Sequence, residues 1–304
     1  MSELNNIGIG IIGLGRAGCA RLVALTSLGF KVNAICSKRP IPDQLLLPSD
    51  DQARPTIYTD WRALLLDDDV KFVFICSETQ AHATQIKYAL EQGKHVCVDF
   101  PTCTTESDAR ALYALAQRRN LVLHTEVIGT LTASHLRLRE ALNSKEISSW
   151  HTELSGGLYR WVRDLNQSRE WGVLIFGRLY QIVDLLSEPV IVNGRRVTVG
   201  RAGEVISTTL QISMTCLETQ QYVEVIEERS VDFRRARKSY YYDDRGREVS
   251  LEHSPSNTSL FLLDTEHFFA CCDVIQEGFI KEYSIPEAII RTHRLADETT
   301  RKLQ

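Results

Sequence analysis

A short apolar run, Ile7 to Gly13, ends in Gly13-Leu14-Gly15-Arg16-Ala17-Gly18 and passes straight into a helical pattern from Arg16 to Leu28. This junction constrains the chain more than any other feature. A nearly all-apolar run of that length reads as a strand buried on both faces. Each glycine has a steric reason. Gly13 permits a tight turn, Gly15 lets backbone approach a pyrophosphate, and Gly18 allows close packing of helix on strand. The helix start then offers free N–H groups and a positive dipole end. The spacing predicts a dinucleotide site at Gly13, Gly15, Arg16, Ala17 and Gly18.

A second strand, Lys31 to Cys36, ends at Ser37-Lys38-Arg39. A site preferring NAD(H) would carry an Asp or Glu there for the ribose hydroxyl. A hydroxyl and two cations suit a 2′-phosphate better, so Ser37, Lys38 and Arg39 point to NADP(H), with NAD(H) as the less favoured cofactor. Strand and helix patterns then alternate: Trp61 to Leu66 (helix), Val70 to Cys76 (strand), Ala81 to Gln92 (helix), His95 to Asp99 (strand), Thr105 to Arg119 (helix) and Leu121 to His124 (strand). Such repetition implies a parallel sheet covered by helices on both faces. Ligands of such sheets bind at the carboxyl ends of strands. Ser77, Glu78, His82 and Asp99 lie there and join the candidate cofactor set.

The pattern changes after about Thr130. A helix from Leu131 to Asn143 and another from Val173 to Leu186 precede strands without intervening helices: Val190 to Val199, Glu204 to Cys216, Gln221 to Glu228 and Ser239 to Tyr242. Asp243-Asp244-Arg245-Gly246 signals a hairpin. Helices near Leu260 to Gln276 and Pro286 to Leu303 close the chain. The expected fold class is α/β: an N-terminal doubly wound parallel sheet of the Rossmann type over residues 1–128, with a C-terminal α+β domain on a mostly antiparallel sheet over 129–304.

The formal charge of −4 argues against a general nucleic-acid binder. No apolar run is long enough to span a bilayer, and the first residues do not read as a signal peptide. The eight cysteines are scattered, with no CxxC, as expected of a reduced, cytoplasmic setting. His267 with Cys271-Cys272 lacks a fourth ligand, so no metal is expected. Without GxSxG, HExxH or Walker motifs, hydrolase and kinase chemistry is disfavoured.

The segments GLGRAGCAR, Ser37-Lys38-Arg39, ICSETQAH (Ile75 to His82), QGKHVCVDFP (Gln92 to Pro101), VLHTEVI (Val122 to Ile128) and FGRLYQIVDLL (Phe176 to Leu186) resemble the biliverdin reductase family, within the wider glucose-fructose oxidoreductase group. The likeness is dense over the first 130 residues and patchy afterward. It implies hydride transfer from NAD(P)H to the central methine of biliverdin, a tetrapyrrole with two propionates, as a step of heme catabolism. It also implies a small-molecule substrate and a monomer or a sheet-mediated homodimer. Arg178, Arg234, Arg235 and Arg237 are the implied carboxylate contacts, since a guanidinium fork grips a carboxylate with two bonds. The basic strand segment Arg234 to Lys238 reads equally well as a solvated face. Arg178, Glu126 and Phe100 are the implied catalytic positions. Where the family has Glu-Tyr-Pro, this chain has Asp99-Phe100-Pro101, so the phenol is gone. Where the family has Glu-His-Ile-Glu, this chain has Glu126-Val127-Ile128-Gly129, which implies a less polar and roomier pocket. A relative that binds cofactor and tetrapyrrole with weak catalysis, or a reductase of a different substrate, stays open as an alternative.

Overall fold

The computed structural model describes residues 7–38, 41, 54–158, 178–201, 204–252, 258–275 and 284–302. It divides into two compact units. One comprises Met1–Ile128 and Asn257–Ile289, the other Gly129–Ser256 and Ile290–Gln304. The first stretch of the first unit ends at Ile128, and the segment Asn257–Ile289 belongs with that unit.

The first unit is built on six parallel strands: β1 (Ile9–Ile12), β2 (Ala34–Cys36), β3 (Thr56–Tyr58), β4 (Phe72–Ile75), β5 (His95–Val98) and β6 (Leu123–Thr125). Their order is β3-β2-β1-β4-β5-β6. The chain winds outward in both directions from β1, which pairs with β2 on one side and β4 on the other. That topological switch is where such sheets open a crevice. Helices α1 (Arg16–Ser27), α2 (Trp61–Leu65), α3 (Thr79–Glu91) and α4 (Glu106–Arg119) connect the strands. Local chemistry sets their ends. Thr105 caps α4 by accepting from the Asp108 N–H at 3.2 Å, and Asn120 ends it in a left-handed conformation (φ 55°).

A later helix, α7 (Leu260–Cys271), completes this unit's core. Phe268 and Phe269 are fully buried beside Ile9, Ile11, Leu25, Phe30 and Phe74. Phe269 stacks on Phe30 at 4.2 Å between centroids, while Phe268 meets Phe74 edge-on at 5.2 Å. Full burial of each phenyl contributes about 1.5–3 kcal/mol. The phenyl pairs are why α7 belongs with the first unit.

The second unit holds β7 (Ser149–Gly156), β8 (Pro189–Arg201), β9 (Glu204–Cys216), β10 (Tyr222–Ser230), β11 (Ala236–Tyr242) and β12 (Glu248–Val249). Their order is β12-β11-β7-β10-β9-β8. Among the described residues β7 and β10 form its one parallel pair; the others are antiparallel, as expected. The hairpin at Asp243 closes with Asp243 Oδ1 accepting from the Arg245 and Arg247 N–H groups, and Gly246 takes φ 72°. Along β7 and β10 burial alternates with period two, so one face is covered. Helices α5 (Ala133–Asn143), α6 (helical over 178–185) and α8 (Pro286–Lys302) supply apolar residues including Leu138, Leu179, Val183 and Leu295. His135 and Arg139 of α5 both bind Asp184 of α6, the histidine at 2.6 Å.

Candidate functional site

The predicted dinucleotide turn sits at the switch point. The Gly13 N–H donates to the Cys36 carbonyl at 2.8 Å. Gly13 has φ 94°, and a Cβ there would strike the backbone of Cys76. A Cβ on Gly18 would strike the Gly13 carbonyl. Gly15 differs. Nothing lies within 4 Å of its Cβ position, so backbone is open there to a close ligand. Gly15 also caps α1 without any side-chain bond, and the first turn carries no acidic residue. Its N–H groups are thus kept for an anion. These residues fit a dinucleotide pyrophosphate. Arg16 is exposed and Ala17 half-buried on the same turn.

Ser37 is half-buried and Lys38 exposed just past β2; Arg39 lies outside the described residues. At the ends of β4 and β5 the candidates do different jobs. Ser77 donates its hydroxyl to Gln85 Oε1 at 2.6 Å. His82 is 1% exposed, with Nδ1 2.9 Å from the Pro101 carbonyl and Nε2 3.1 Å from the Ser77 carbonyl. Burial lowers its pKa. It ties two edge loops together. Glu78 caps α3 by backbone position, with no side-chain cap bond.

Two carboxyl groups stand at the ends of β5 and β6. Burial pushes Asp99 up to about 6, against the pull of Arg21. Oδ1 of Asp99 is buried without a hydrogen-bond partner. Glu126 is pushed up to about 8, first by burial and then by the charges of Asp99 and Asp264. Oε1 of Glu126 accepts from the Ile128 N–H at 2.9 Å. A group with that pKa is largely a neutral acid at pH 7 and can give a proton. Phe100 is half-buried between Asp99 and Pro101.

His124 is 3% exposed, and its Nε2 lies 2.7 Å from Asp264 Oδ1. Asp264 in turn pairs with fully buried Arg21 at 2.6 Å. Cys97, His124 and Asp264 bring ligand-type atoms within 4.8 Å of one another. Both oxygens of Asp264 are engaged, however, so the cluster reads as an internal ion-pair network. Cys271 Sγ lies 3.5 Å from His267 Nε2.

In the second unit Arg178 is half-buried at the described start of α6 and donates to Gln181 Oε1 at 3.1 Å. Gln181 Nε2 donates to the Gly129 carbonyl at 2.9 Å. A Cβ on Gly129 would lie 2.7 Å from that nitrogen. The room expected from Gly129 is therefore filled by the Gln181 amide, which corrects the roomier-pocket expectation. Arg234, Arg235 and Arg237 are all exposed, the first two ahead of β11 and the third on it. Sequence reasoning missed a polar group on β10. Glu227, 1% exposed, is bound by Nε of Arg229 at 2.7 Å and also by its Nη2. The charged alternation Glu227-Glu228-Arg229 was its one signal, and it looks like a solvated strand.

Residues 7–127 match the oxidoreductase family with an NAD-binding Rossmann fold. Human biliverdin reductase A is 28% identical over 275 residues, covering 86% of this chain and 84% of that protein. An α-N-acetylgalactosaminidase from Bacteroides fragilis is 28% identical over 119 residues, covering 37% of this chain and 28% of that protein. Among solved structures, biliverdin reductase from Synechocystis, determined with biliverdin and NADP+, aligns with a TM-score of 0.81 at 18% identity. That alignment covers 98% of this chain and 99% of the other. Residues 7–127 are thus similar to the NAD-binding Rossmann oxidoreductases, and the chain over most of its length is similar to biliverdin reductases.

Proposed function

We propose that this protein is an NADPH-dependent reductase of biliverdin. The observation that carries the reading is the extent of the likeness. The match to human biliverdin reductase A runs through both units, whereas the match to the galactosaminidase spans 119 residues. Gly13, Gly15, Arg16, Ala17 and Gly18 would hold the pyrophosphate, and Ser37, Lys38 and Arg39 the 2′-phosphate. The bound nicotinamide supplies a hydride. Glu126 supplies the proton that a pyrrole nitrogen gains, the role left open by Phe100. Its raised pKa keeps that proton in place at neutral pH. Arginine cannot do this, being always protonated, so Arg178 orients the substrate instead. Gln181 holds its guanidinium in place. Ser77, Glu78, His82 and Asp99 shape the cofactor edge.

The test is direct. Purified protein, NADPH and biliverdin are mixed, and the visible spectrum is followed. Loss of the biliverdin band with growth of the bilirubin band is the expected result. NADPH binding with no spectral conversion would refute it and favour the second reading, a cofactor-binding relative whose catalysis was weakened by the loss of the phenol at Phe100.

A further inference from the structure

Two adjacent rows on the covered face of the second sheet concentrate polar groups. In one, Thr198, Thr208, Arg229 and Gly156 stand directly opposite one another across β8, β9, β10 and β7. In the next, Arg196, Leu210, Glu227, Leu154 and Arg237 do the same across β8, β9, β10, β7 and β11. Thr208 and Glu227 are each 1% exposed. The hydroxyls of Thr198 and Thr208 and Oε2 of Glu227 are buried, with no hydrogen-bond partner. An unsatisfied buried hydroxyl costs free energy, and native proteins keep few of them. Here three open groups fall within two rows of one sheet.

The neighbouring charge has a set direction. Nε and Nη2 of Arg229 both bind Oε1 of Glu227, which fixes the guanidinium. Its Nη1 lies so close to the position of a Gly156 Cβ that a side chain there would strike it. The absent side chain at Gly156 therefore lets the guanidinium lie across β7. Arg178 acts on Glu227 as well, since its charge and that of Arg229 both oppose the upward push of burial on this carboxyl. Two hydroxyl donors beside a fixed guanidinium are the partners a carboxylate requires. Oε2 of Glu227 is an acceptor open to an N–H on the same ligand.

We propose that Thr198, Thr208 and Arg229, with Glu227 as the positioning residue, form a carboxylate subsite for the substrate. On the biliverdin reading, on which this inference rests, the carboxylate is a propionate and the N–H belongs to its pyrrole.

The test uses the full chain, biliverdin and biliverdin dimethyl ester. Binding is read from the shift of the bilin absorbance band, and turnover with saturating NADPH. Wild-type protein should bind the ester about tenfold more weakly than biliverdin, the worth of one charge-assisted bond. Thr208→Val, nearly isosteric, should raise KM and Kd for biliverdin by about tenfold, leave kcat unchanged, and leave affinity for the ester unchanged. Its unliganded Tm should hold or rise, because an unsatisfied buried hydroxyl has been removed. A merely structural threonine would lower Tm instead. Glu227→Gln should weaken biliverdin binding through loss of the Arg229 orientation. Equal affinity of wild type for acid and ester, or no change on Thr208→Val, overturns the subsite while leaving turnover intact. Binding with the full acid–ester difference but no turnover overturns the reductase reading and keeps the subsite. No bilin binding by wild type overturns both.

Discussion

Replacing Asp264 by Ala should be among the most damaging single changes in the first unit. Arg21 is fully buried on α1, the helix that opens the dinucleotide turn. Its Nη2 is 2.6 Å from Asp264 Oδ2, and Nη1 donates to Thr265 Oγ1 at 2.8 Å. The guanidinium lies 5.3 Å from the Phe74 centroid and 5.0 Å from that of Phe261. Removing the carboxylate strands this cation among phenyl rings. Breaking a buried pair from one side costs about 3–5 kcal/mol. For a protein of this size that amounts to a fall in Tm of roughly 10 °C. The double variant Arg21→Met, Asp264→Leu removes both charges and should recover most of the loss, since apolar replacement of a buried pair is often neutral. Thermal unfolding followed by circular dichroism, alongside NADPH affinity by fluorescence, reads both effects. A loss under about 1 kcal/mol for Asp264→Ala, the worth of an exposed pair, would refute the reasoning. So would a double variant no more stable than the single.

Further outcomes are expected. Gly18→Ala, whose methyl would strike the Gly13 carbonyl, should weaken NADPH binding by at least about tenfold, read by fluorescence titration. Turnover should fall as pH rises through about 8, because Glu126 must be protonated to donate. Stability should decline over the same rise, since the folded protein holds this proton to higher pH than the unfolded chain does. Glu126→Gln should flatten that limb and lower kcat by about 10²–10⁴-fold in a pH-rate profile. Phe100→Tyr should raise kcat by adding a phenol donor to that of Glu126, and unchanged kinetics would mean that proton delivery does not limit turnover.

The phosphate turn was legible because its chemistry is local. Strand, three glycines and helix lie within about twenty residues, and steric clashes account for the spacing at Gly13 and Gly18. The Asp243 hairpin was legible for the same reason. Arg21 and Asp264 were not, since each looks ordinary on its own helix and 243 positions separate them. Only tertiary packing makes them a pair. Gly129 misled for a related reason. A glycine reads as space, yet Gln181, fifty-two positions on, occupies it. The Thr198, Thr208, Arg229 and Gly156 row was invisible because strand register, not sequence spacing, lines those residues up. β3 went unread because three residues on an edge after a proline-rich stretch carry almost no periodic signal.

The chain crosses between its two units three times, after Ile128, Ser256 and Ile289. On a ribosome delivering the chain from its N-terminus, the parallel sheet emerges early but its core does not. Phe268 and Phe269 are added 194 residues or more after Phe74. Until then Phe30, Phe72 and Phe74 present an unfilled aromatic surface. A fragment stopping at residue 128, which looks like a self-sufficient nucleotide-binding domain, would keep that sticky surface permanently and tend to aggregate.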